Sequence, residues 1–130
     1  MTITNEQYHA DPAISASHLK AVMQSPYHYW SRFLDPQRPV IEPTAAMRFG
    51  SLVHCVVLEP DDLLQRYGVA PDRRTKAGKE QAERMAADGI EAVTEADMAL
   101  ALSMAASVRQ HPYAAALLAD GKAEQSFWWN

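Results

Sequence analysis

A chain of 130 residues with 48% apolar and 22% charged residues has the length and composition of one ordinary globular unit, which excludes the disordered and collagen-like classes. Twelve Lys and Arg against sixteen Asp and Glu leave a net charge of −4, so any attraction to nucleic acid or anionic lipid must be local. Cys55 is the single cysteine, which excludes an internal disulfide; the opening MTITNEQYHADP lacks signal-peptide features, and the apolar run Met98 to Val108 is far shorter than the ~18 to 20 residues of a membrane span, so a cytoplasmic setting without membrane contact is expected.

After a polar, unpatterned start, Ser15 or Ser17 can cap a short helix carrying Leu19, Val22 and Met23. Ser25-Pro26 repeats the signal with proline at the first helical position, and a second helix with Tyr27, Tyr29, Trp30, Phe33 and Leu34 is expected, Trp30 and Phe33 facing the core. Pro36, Pro39 and Pro43 make Asp35 to Pro43 a connecting loop. Thr44 then caps a helix in which Phe49, Leu52, Val53, Val56 and Val57 recur at helical spacing until Pro60, and this helix should be the most buried. One or two further turns are expected over Asp61 to Tyr67, a short strand over Gly68 to Ala70, and a polar helix from about Thr75 to Ala87. Asp88-Gly89 is a turn signal, and Ile90 to Val93 reads as a brief strand. Thr94 with Asp97 resembles a capping box opening a long helix to about Gln110, and Pro112 restarts a helix through Leu118. Beyond the Asp120-Gly121 turn, Gln125 to Trp129 reads as an apolar strand that would either pair with Ile90 to Val93 or offer an open edge for self-association.

Walker loops, G-x-G-x-x-G, H-E-x-x-H and paired C-x-x-C elements do not occur, which removes the usual nucleotide, zincin and zinc-ribbon readings. Cys55 lies inside the apolar helix and reads as a small core residue. The most informative stretch is MRFGSLVHCVVLEP, in which Gly50 precedes His54 by one helical turn. Helical side chains lean toward the N-terminus, so the His54 imidazole lies over Gly50, where space is free for a ligand or a facing chain. On spacing alone, a half-buried histidine beside a tight helix crossing accounts for the pattern better than a ligand site. Arg73, Arg74, Lys76 and Lys79 put four positive charges into seven residues of an acidic protein, a loop able to grip a DNA backbone or simply to be solvated. His9, His18, His28 and His111 show no ligand spacing with one another.

The order ISASHLKAVMQSPYHYW, proline loop, MRFGSLVHCVVLEPDDL, PDRRTKAGK and EQSFWW resembles the nuclease domain of RecE-type exonucleases (exodeoxyribonuclease VIII), over nearly the whole chain. The G-x-x-x-H helix followed by L-E-P is similar to the first motif of the RecB-like branch of PD-(D/E)xK nucleases. The resemblance implies a helix-rich α/β (α+β) fold forming the N-terminal portion of a restriction-endonuclease-like domain, with 1–130 a single, incomplete unit. It also implies Mg²⁺-dependent 5′ to 3′ digestion of double-stranded DNA in phage or prophage recombination, with His54 at the catalytic metal and phosphate site.

The family's strand Asp, its D/E-x-K strand and its later Gln or Tyr helix would lie beyond the segment resembling EQSFWW. Within the chain no E-x-K occurs, and the one D-x-K, Asp120-Gly121-Lys122, sits on a turn signal. One histidine cannot supply the carboxylate oxygens that divalent-metal phosphodiester chemistry needs. The expectation is therefore an N-terminal part inactive as a fragment, the alternatives being a non-catalytic DNA-binding or nuclease-regulating module and a truncated gene remnant.

Overall fold

Leu52, Cys55 and Val56 stand at i, i+3 and i+4 on the helix α3 (Ala45–Leu58), and each is 1% exposed or less. In the computed structural model, which describes residues 11–123 together with Gln125 and Phe127, this stripe is the centre of the core. The described residues fall into two compact units, residues 11–42 with Gln125 and Phe127 in one and Pro43–Ala123 in the other.

In the first unit, α1 (Ala16–Gln24) and α2 (Pro26–Tyr29) are followed by a π-helical turn, Trp30–Leu34. Ser25 caps α2, its hydroxyl accepting from the His28 N–H at 3.2 Å, with Pro26 at the first helical position as the sequence predicts. The start of α1 is tied back from within: Ser15 N–H donates to His18 Nδ1 at 3.0 Å. The His18 ring meets Phe33 edge-on at 4.2 Å and Tyr29 at 5.8 Å between centroids. Trp30 departs from its expected core position, being 44% exposed and stacked on the exposed Tyr27 at 6.2 Å. The expectation assumed a 3.6-residue period through residue 34, whereas a π-turn widens the helix and rotates the residues on it away from that stripe.

The second unit is built on α3. Thr44 caps it, the hydroxyl accepting from Met47 N–H at 3.2 Å. A 3₁₀ turn (Pro60–Asp62) and α4 (Leu63–Arg66) follow, leading into β1 (Tyr67–Val69). The helix α5 (Lys76–Ala87) then crosses over to β2 (Glu91–Val93), with Gly89 at φ 70° in the turn between them. The two strands pair in parallel, Tyr67 opposite Glu91 and Val69 opposite Val93, so that β1, α5 and β2 form one βαβ unit. Both strands were legible as single segments to within a residue; their pairing with each other was not. Next come α6 (Glu95–Gln110), capped by Thr94 through a 3.0 Å bond from Asp97 N–H, and α7 (Pro112–Ala119).

Ala101 and Ala105 of α6 are fully buried against the α3 stripe, and their lack of bulk lets the two helices approach closely. Tyr67, 4% exposed, closes the cluster from β1. Arg109 in the last turn of α6 donates from Nη2 to the carbonyls of Val56 at 2.7 Å and Val57 at 3.4 Å, end carbonyls that a helix leaves without internal partners. Burial pushes the Cys55 thiol above its ordinary range, with Arg66 partly opposing, so Cys55 is a core residue as its position implied. No helix among the described residues is long and apolar enough to cross a membrane. The expected strand over 125–129 lies outside the described residues apart from Gln125 and Phe127, neither of which is in regular secondary structure.

Leu52→Ala should lower the unfolding free energy by about 2–5 kcal/mol in denaturant titrations. Leu64→Ala, at a side chain 82% exposed, should stay within about 0.5 kcal/mol of the parent. Similar losses in the two variants would deny the α3–α6 core.

Candidate functional site

The same helical geometry that buries Leu52, Cys55 and Val56 turns Gly50 and His54 outward, and both are exposed on α3. A Cβ added at Gly50 would meet nothing within 4 Å, so the space beside His54 is open rather than filled by a crossing helix. The close helix contact that spacing alone suggested at Gly50 is therefore absent among the described residues, and α3 approaches α6 through its other face.

The basic segment is a shaped loop. Asp72 Oδ1 accepts from the Arg74 backbone N–H and from Arg74 Nε, each at 3.0 Å. These two bonds, the side-chain one first, hold the Asp72 carboxyl below its usual range. Thr75 donates its hydroxyl proton to the Asp72 carbonyl at 3.2 Å and accepts from Gly78 N–H at 3.0 Å, which starts α5. Gly78 is buried under the loop, and a Cβ there would run into the Asp72 carbonyl group. Only glycine lets the loop fold over the first turn of α5.

This arrangement divides the four cations. Arg74 is held by Asp72, and Lys76 lies 3.9 Å from Glu80, a loose i,i+4 pair on the helix surface. Arg73 and Lys79 have no side-chain partner among the described residues, and both line a hollow of about 250 Å³ shared with Ala82, Glu83 and Ala86. The structure thus brings together two of the four basic residues singled out from the sequence, and His54 is not among those lining the hollow. Thr75 was read as the start of the helix, but its bond to the Asp72 carbonyl and the parts of Asp72 and Gly78 in fixing the loop were missed; the run D-R-R-T, an Asx turn leading into a threonine cap, carried the signal.

The family described as "PDDEXK-like domain of unknown function (DUF3799)" matches residues 15–130. The chain belongs to this family. No curated protein and no solved structure matches it. The match covers both described units and the helix-rich α+β architecture is consistent with a fragment of a PDDEXK-like domain.

Nucleases with PD-(D/E)xK chemistry imply a divalent metal, and Mg²⁺ asks for hard carboxylate oxygens in near-octahedral array. Among the described residues no group of three His, Cys, Asp or Glu side chains is placed to hold a metal ion. The nearest acids in sequence to His54 are otherwise engaged or exposed: Glu59 pairs with Arg66 at 2.7 Å, and Asp61 and Asp62 lie on the exposed 3₁₀ turn. The described residues of this PDDEXK-like domain do not fit the metal by themselves.

Gly50→Ala should raise stability by up to about 1 kcal/mol, since the added methyl meets open space and alanine favours the helix. Gly78→Ala should lower it and perturb the Asp72–Thr75 loop. Thermal melts of the two variants compare them directly, and destabilisation by Gly50→Ala would show that the space over Gly50 is occupied.

Proposed function

We propose that this chain is the DNA-contacting, N-terminal helical part of a Mg²⁺-dependent exonuclease of the RecE type, acting 5′ to 3′ on double-stranded DNA. The observation that carries the reading is the PDDEXK-like family match over residues 15–130, which contains both the Gly50–His54 helix and the basic loop. In this reading Arg73 and Lys79 are the principal phosphate contacts, with Arg74 and Lys76 contributing less because acids already pair them. His54 is presented from the helix α3 toward a metal and phosphate site whose carboxylates the described residues do not provide. Metal, where bound by such carboxylates, would polarise the scissile phosphate and activate water. The 130 residues alone are then inactive, and assembly as a homo-oligomer is compatible with the reading.

A second reading, a non-catalytic module that binds DNA or regulates a nuclease, is favoured by the lack of a metal-holding group among the described residues. It shares the basic loop and dispenses with any role for His54.

Purified chain incubated with linear duplex and Mg²⁺ should release no nucleotides, and degradation that survives repurification and disappears in His54→Ala would overturn the inactive-fragment reading. Within a longer active form, His54→Ala should abolish digestion while leaving the fold intact; unchanged digestion would make His54 merely structural. Duplex binding should be weak and salt-dependent. Arg73→Ala with Lys79→Ala should flatten the dependence of log affinity on log salt by about 1.8, from ~0.9 per phosphate contact. Arg74→Ala should flatten it less.

A further inference from the structure

Lys79, Ala82, Glu83 and Ala86 recur at i, i+3, i+4 and i+7 and form one stripe of α5, with Arg73 reaching the same hollow from the loop. Two cations without a side-chain partner among the described residues, beside one carboxylate, do not make a uniform phosphate clamp. A carboxylate repels a DNA backbone, and Glu83 stands about 6 Å further along the helix axis than Lys79. The alanines between leave a shallow apolar floor. At about 250 Å³ the hollow is below the ~300–1,000 Å³ of usual ligand pockets and suits a fragment the size of one base with its phosphate.

We propose that this hollow is a subsite for one unpaired nucleotide, with Lys79 and Arg73 on its phosphate and the Glu83 carboxylate accepting from the exocyclic amino group of its base. The proposal rests on the DNA-contact reading above and adds a base preference to it. A carboxylate accepts from the amino group of cytosine, whereas the one donor on an unpaired thymine, its ring N3–H, lies between two carbonyl oxygens that repel the carboxylate. Contacts of Arg73 and Lys79 to the phosphate are indifferent to base identity. Glu83 is thus a specificity-determining residue, while Arg73 and Lys79 supply affinity.

The test measures binding of short single-stranded oligo-dC and oligo-dT to the 130-residue chain and its variants by fluorescence anisotropy at one fixed salt concentration. The parent should favour oligo-dC by about tenfold, the lower range of a direct base contact. Glu83→Leu should bind both oligonucleotides equally, and Glu83→Gln, which keeps an acceptor oxygen but not the charge, should bind both more tightly with the preference retained. Equal binding of the two by the parent, or a preference that survives in Glu83→Leu, would overturn the subsite. Arg73→Ala with Lys79→Ala separates the two levels. If that variant loses affinity for every DNA while the parent shows no base preference, the DNA-contact reading stands and the subsite fails. If it binds all DNA as the parent does, both fail.

Discussion

The packing of α3 on α6 is the constraint from which the second unit follows. Leu52, Cys55 and Val56 meet Ala101 and Ala105 with essentially no exposed surface, and Arg109 ties the end of α3 to the last turn of α6. A core of this density tolerates little rotation of either helix. With one face of α3 fixed inward, the residues on its other face have no choice of direction, so Gly50 and His54 face outward. The outward direction of the candidate catalytic histidine follows from the hydrophobic burial of the opposite face of α3.

A different device sets the basic loop. Its shape comes from short-range polar bonds, Asp72 to Arg74 and Thr75 to Gly78, and from the missing side chain at Gly78. Surface ion pairs of this kind add little stability, typically about 0–1 kcal/mol. Their effect here is to select which cations remain available. A run of four basic residues that looks uniform in sequence becomes two paired and two unpaired groups, and the unpaired ones share a hollow with Glu83.

Much of the element order was legible because it is written locally. Ser25-Pro26, Thr44 and Thr94 each start a helix where a capping side chain and a following apolar pattern coincide, Thr75 starts a polar one, and each hydroxyl accepts a backbone N–H of the first turn. What was not legible depends on residues far apart or on altered period. The Arg109 bond to Val56 spans 53 residues, and the parallel pairing of β1 with β2 depends on a crossover that three-residue strands cannot announce. The π-turn at Trp30 breaks the very periodicity from which a core position was inferred. His54 stands in the G-x-x-x-H spacing, whereas Glu83 belongs to no motif and is linked to Arg73 only by the hollow that both line.

Among the described residues, the helical scaffold is present and no group of three His, Cys, Asp or Glu side chains is placed to hold a metal ion. Manganese(II), a paramagnetic stand-in for Mg²⁺, tests this most directly through broadening of the histidine ring signals in an NMR titration of the 130-residue chain. His54 should broaden no more than His18, His28 and His111 as Mn²⁺ is added. Selective loss of the His54 signal at the lowest Mn²⁺ additions would contradict this, showing that this chain alone assembles a metal site.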